Sequence, residues 1–233
     1  MTAPRQLAIP FEQRPALGGE DFLVTPANAE AVAWIDRWPS WAAPCLTVWG
    51  PEGCGKTHLA RVFLARTGGA LLDRADVAQA AAEAPGRVYV IEDMDAAPLE
   101  GDDAAALFHL YNAAKEAGGH LLLTARRAPA RWEVALADLR SRLNAAPAVE
   151  ITAPDDDLLE ALLMKQFADR QLRVEAEVIA YLAPRMDRTF RAARDIVAAI
   201  DAEALARRRN VTVPLAREVL ARLGSAPDTP GTR

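Results

Sequence analysis

Cysteine, histidine and lysine are all scarce in this 233-residue chain, and each scarcity removes a class of chemistry. Two cysteines, Cys45 and Cys54, cannot build a disulfide framework, and a reducing cytosol suits them. The three histidines, His58, His109 and His120, stand too far apart for a metal site, and no acid cluster joins them at ligand spacing. No Ser/His/Asp or Cys/His arrangement suggests a nucleophile. No stretch reaches the ~18 apolar residues of a membrane span. Pro4 and Pro10 interrupt the N-terminal stretch where a signal peptide would run unbroken, so a soluble cytoplasmic protein without membrane contact is expected. Basic residues are not in surplus: 27 Lys and Arg face 32 Asp and Glu, for a net charge of −5. That balance excludes a grip on DNA through bulk electrostatics, leaving DNA contact only by an indirect route. Of the basic residues 24 are Arg, and Ala reaches 50, a bias that fits a GC-rich genome and carries no chemistry. With 51% hydrophobic residues and only 29 Gly and Pro together, the chain is globular, and its length allows a core domain with an appendage.

Pro4, Pro10, Pro15 and Gly18-Gly19 leave no helix or strand of useful length in residues 1–20, which read as a flexible tail. Helical spacing at 28–38, with Asn28 as N-cap and Pro39 as the stop, predicts the first helix. Strands are expected at 45–49, 70–72, 87–91, 120–124 and 148–151, alternating with helices at 56–66, 76–83 and 103–117. Such alternation implies an α/β core with a parallel sheet covered on both faces, here residues 21–153. After Pro154 no strand pattern recurs. Amphipathic helices near 156–169, 175–183, 188–208 and 214–223 predict a small all-α lid domain over 154–223, with 224–233 as a frayed C-terminus.

Gly50-Pro51-Glu52-Gly53-Cys54-Gly55-Lys56-Thr57 fits the phosphate-loop pattern G-x-x-x-x-G-K-[ST] in its required place between a strand and a helix. Glycines let backbone N–H groups converge on phosphates, Lys56 reaches the β- and γ-oxygens, and the Thr57 hydroxyl is a Mg²⁺ ligand. The apolar strand ending at Ile91 runs into Glu92-Asp93-Met94-Asp95, where three acids compete for two roles, one beside the metal and one orienting water. Sliding the frame by one residue makes Asp93 the acid on the metal side.

The phosphate loop with a helical appendage resembles the AAA+ nucleotide-binding module. The motifs Gly-Lys-Thr-His58-Leu59, Phe108-x-x-Tyr111-Asn112, Thr124-x-x-Arg127-x-Pro129 and Leu139-Arg-Ser-Arg142-Leu143 are similar to those of the DnaA family over residues 20–223. The resemblance stops where DnaA places a helix-turn-helix domain, so the chain resembles the DnaA-homologous regulators of the Hda type. It implies ADP or ATP with Mg²⁺ as ligands, held by Gly50, Pro51, Gly53, Cys54, Gly55, Lys56 and Thr57. It further implies Arg142 as a finger completing a neighbour's site, with Arg140 as rival, and Arg191 as a phosphate sensor, with Arg188 and Arg194 as rivals. Gln6-Leu7-Ala8-Ile9-Pro10-Phe11 resembles the peptide by which such regulators dock on the DNA polymerase sliding clamp, its β subunit. An extended chain fixed by Pro10, with apolar anchors at Leu7, Ile9 and Phe11 and the amide of Gln6 for orientation, suits a docking peptide.

One position departs from the family. Arg126 stands where DnaA-type chains carry an acid, two residues after Thr124, so turnover at the chain's own site is expected to be weak. The implied function is regulatory inactivation of DnaA: clamp-bound on DNA, the protein stimulates hydrolysis of DnaA's ATP and restrains initiation of replication. An adaptor that recruits DnaA without stimulating hydrolysis, and a self-sufficient ATPase acting on DNA, stay open as alternatives, as does a homodimer.

Overall fold

The computed structural model describes residues 13–14, 22–84 and 86–224. The docking motif Gln6–Phe11 lies outside them. Two compact units divide the chain, residues 1–152 and 153–233.

The first unit is built on five parallel strands. They are β3 (Cys45–Trp49), β4 (Ala70–Leu72), β5 (Val88–Ile91), β6 (His120–Ala125) and β7 (Ala148–Glu150), in the spatial order β4-β5-β6-β3-β7. Ahead of them, β1 (Gln13–Arg14) pairs antiparallel with β2 (Phe22–Leu23). This ladder is two residues long, too short to bury a face.

β5 and the middle of β6 are apolar at every position, Val88 to Ile91 and Leu121 to Leu123, and are buried because helices cover both faces. One layer holds α3 (Val77–Glu83), α4 (Gly101–Ala117) and α5 (Ala137–Ala145), which bury Leu107, Leu110, Leu139 and Leu143 with Leu121 and Leu123. The other holds α1 (Ala29–Asp36) and α2 (Lys56–Thr67), which bury Ile35, Leu59 and Phe63 against Leu46, Val90 and Leu122. Alternate residues of β6 thus serve opposite cores, as a strand's two-residue period requires. Neighbouring strands β3 and β6 send their following helices, α2 and α5, to opposite faces, which opens a crevice beyond their carboxyl ends.

The second unit contains α6 (Asp156–Asp169), α7 (Ala176–Leu182), α8 (Phe190–Arg207) and α9 (Val213–Gly224). Asp155 caps α6 by accepting from the Leu158 N–H at 2.9 Å, and Thr189 caps α8 by accepting from the Ala192 N–H at 2.9 Å. Leu159, Leu163, Phe167, Leu182, Val197 and Ile200 form its core. No helix among the described residues is long and apolar enough to cross a membrane.

Candidate functional site

The phosphate loop leaves β3 at Gly50 and enters α2 at Lys56. A Cβ at Gly50 would lie 2.1 Å from the Ile151 carbonyl oxygen, so only glycine fits where the loop passes the end of β7. Gly55 is the N-cap of α2 at φ 104°, a conformation that aims the first N–H groups of the helix into the loop. Lys56 is buried, and its ammonium donates to the Gly50 carbonyl at 2.9 Å and the Pro51 carbonyl at 2.8 Å. Thr57 is exposed in the first turn. Cys54 is buried, and burial pushes its thiol up despite the nearby Lys56 charge, so it fills the loop as a neutral apolar group.

Parallel register sets the neighbouring strand ends level with the loop. Trp49 is opposite Ala125, and Ile91 is opposite Leu123, so Glu92 and Asp93 emerge beside Thr124. The Asp93 N–H donates to Thr124 Oγ1 at 3.2 Å, and the Met94 N–H donates to the Thr124 carbonyl at 2.8 Å. Asp93 is exposed, with its backbone at φ 50°, a left-handed conformation uncommon outside glycine. Glu92 is half-buried, and its Oε1 is buried without a hydrogen-bond partner among the described residues. An orphaned carboxylate oxygen next to an exposed acid is a donor set suited to Mg²⁺ and a water.

The third acid has another task. Asp95 accepts from the N–H of Arg126 at 2.8 Å and of Arg127 at 3.0 Å, and from Arg127 Nε at 3.1 Å. Burial acts to raise its pKa, but these donors outweigh it and hold the carboxyl below the usual range. Asp95 therefore fixes the turn after β6, a task that Glu92 and Asp93 do not share.

Arg142 lies in the last turn of α5, where its guanidinium carbon is 5.0 Å from the Phe108 ring centre and 5.8 Å from that of Tyr111. Its Nε is buried with no hydrogen-bond partner among the described residues. Burial and Cys45 raise the Tyr111 phenol's pKa, while Arg142 lowers it. Because Cys45 opens β3, Tyr111 and Arg142 cluster at the amino edge of the sheet. The five residues of β3, roughly 16 Å at ~3.3 Å each, separate that edge from the phosphate loop. Arg140 is exposed and reaches the Val134 carbonyl at 3.4 Å.

In the second unit Arg191 pairs with Asp195 at 3.5 Å, Arg194 with Asp195 at 3.9 Å, and Arg188 with Asp156 at 2.8 Å. All three pairs are exposed, so they contribute little to stability. Arg191 and Arg194 open α8, the helix end where the macrodipole disfavours cations.

Among the described residues no group of three His, Cys, Asp or Glu side chains could hold a metal ion. The contacts missed at the sequence level are the Arg126–Glu52 ion pair and the Asp95 anchor, both between residues distant in sequence.

Comparison with known proteins agrees with this architecture. Residues 155–220 match the family described as "Hda, lid domain". An uncharacterized protein of Haemophilus influenzae is 26% identical over 188 residues, covering 76% of this chain and 81% of its own. Domain III of the Thermotoga maritima replication initiation protein DnaA superposes with a TM-score of 0.71 at 18% identity, over 88% of this chain and 95% of that one. AMPPCP-bound DnaA from Aquifex aeolicus gives 0.66 at 20% identity over 80% of this chain, which spans 66% of that structure. A Thermotoga maritima RuvB mutant gives 0.63 at 16% identity, over 85% of this chain and 68% of that one.

Proposed function

We propose that this chain, an Hda-type, DnaA-like AAA+ protein with a parallel-sheet core and an Hda lid domain, restrains replication initiation by stimulating hydrolysis of DnaA's ATP. The observation that carries the reading is the position of Arg142. It is aromatic-packed, its Nε is unpartnered, and it lies at the sheet edge opposite the chain's own phosphate loop. A guanidinium at that edge is remote from its own phosphate loop, and its terminal Nη groups would stabilise charge on a γ-phosphate held by another protein.

The chain's own site binds ADP or ATP. Loop N–H groups and Lys56 receive the phosphates. Thr57 and Asp93 would hold Mg²⁺, which neutralises phosphate charge, while Glu92 orients water. Arg126, standing where an acid is expected, supports slow turnover of the chain's own nucleotide, so this site serves conformation more than catalysis.

The tail Gln6–Phe11 is the contact to the sliding clamp, and DNA is reached only through it. Deleting residues 1–12, or changing Gln6 and Leu7 to Ala, should abolish clamp binding in a pull-down and leave nucleotide affinity unchanged. Clamp affinity that survives the deletion removes the tail from the account.

A further inference from the structure

Arg126 and Glu52 meet across the mouth of the phosphate loop, Nη2 to Oε2 at 3.1 Å. Glu52 is the third residue of the loop, and Arg126 is the first residue after β6. We propose that Arg126 is a direct ligand of the nucleotide's terminal phosphate, and that Glu52 is the internal anion it leaves when that phosphate arrives. The proposal rests on the nucleotide-binding reading above.

The backbone carrying Arg126 is locked to the loop from two sides. The Gly50 N–H donates to the Ala125 carbonyl at 3.1 Å, tying the loop's first residue to the one before Arg126. The buried Asp95 carboxylate then clamps the N–H groups of Arg126 and Arg127. The Arg126 side chain is left as the moving part on a fixed base, at the rim of the crevice between β3 and β6.

The pair itself is easily exchanged. Its side chains are 62% and 72% exposed, so water screens the attraction and little energy holds them together. A carboxylate in a loop whose N–H groups converge on an anion opposes a polyphosphate, and Arg126 offsets that charge at rest. A terminal phosphate carries more charge than the carboxylate and matches the guanidinium fork in a bidentate way. Phosphate number is the property this exchange reads, because only the outermost phosphate can compete with Glu52. Arg126 is thus a specificity-determining residue for triphosphate over diphosphate.

The test is isothermal titration of the full chain with ADP and with AMPPCP, each with Mg²⁺, for wild type, Arg126→Ala, Glu52→Gln, the double variant and Lys56→Ala. Arg126→Ala should weaken AMPPCP about tenfold and ADP by less than about threefold. Glu52→Gln should tighten AMPPCP about threefold, since it removes both the repulsion and the competitor. The double variant should fall short of the sum of the single effects, as coupled neighbours do. Equal losses for both nucleotides in Arg126→Ala, or no loss for either, overturn the proposal while wild-type binding and its failure in Lys56→Ala uphold the underlying site. A folded wild-type chain that binds neither nucleotide overturns the nucleotide reading itself.

Discussion

The guanidinium carbon of Arg142 lies 5.0 Å from the centre of the Phe108 ring, joining the last turn of α5 to the middle of α4. Two motifs that look separate along the chain, Phe-x-x-Tyr and Leu-Arg-Ser-Arg-Leu, thus form one unit: a cation on an aromatic platform. The rings restrict the guanidinium without consuming its hydrogen-bond donors, which an acidic partner would do.

Phe108 is accordingly a positioning residue for Arg142. Phe108→Leu keeps most of the volume and removes the ring face. Stimulation of DnaA should fall about three- to tenfold, in line with a cation–π contact of ~1 kcal/mol, with clamp affinity unchanged. Unfolding in urea should show a loss of less than ~1.5 kcal/mol, the scale of a hydrophobic swap. Full stimulation in this variant detaches the ring from the finger's placement.

Lys56→Ala should abolish the nucleotide-induced stabilisation of the chain. Saturating ADP, at roughly a hundred to a thousand times Kd, stabilises a binding protein by ~3–4 kcal/mol. Differential scanning calorimetry with and without ADP reads the effect directly. An unchanged ligand-induced rise in Tm for Lys56→Ala contradicts the phosphate-loop assignment.

Stability should depend on pH through His120, at the opposite end of the sheet from the phosphate loop. Its ring packs against Trp38 and Trp41, centroids 6.1 and 5.5 Å away, and its Nε2 donates to the Pro39 carbonyl at 3.0 Å. Burial depresses its pKa, more than the Pro39 carbonyl raises it, so the folded state holds the neutral ring. The unfolded chain takes up the proton first, near the ordinary value of ~6.5. The contribution is therefore complete above that pH and is lost as pH falls toward the folded pKa. Urea titrations at pH 7.5 and 5.5 should show a smaller drop for His120→Gln than for wild type. Parallel curves would mean that His120 carries no proton linkage.

Much of this was readable because it is local. The loop Gly50–Thr57 is fixed by glycine conformation and strand-loop-helix context, and the lid helices by apolar periodicity capped at Asp155 and Thr189. What escaped depends on register. Asp95 looked equivalent to Glu92 and Asp93 until β5 and β6 aligned to bring it under the Arg126 and Arg127 N–H groups. Arg126 read as a missing acid, and its partner Glu52 could be found only once β3 lay beside β6. Residues 137–145 carry little helical signal in the sequence, because four of the nine side chains are charged or amide and only Leu139 and Leu143 face the core.

The measurement that bears most directly on the central claim is conversion of DnaA-bound ATP to ADP in the presence of clamp-loaded DNA, compared for wild type, Arg142→Ala and Arg140→Ala. Arginine fingers of other NTPases contribute about 10³–10⁵ in rate. Wild type and Arg140→Ala should accelerate the conversion, while Arg142→Ala, still binding clamp and nucleotide, should leave it at the rate of DnaA alone. Full acceleration by Arg142→Ala would contradict the account and leave recruitment of DnaA, without stimulation through this arginine, as the chain's role.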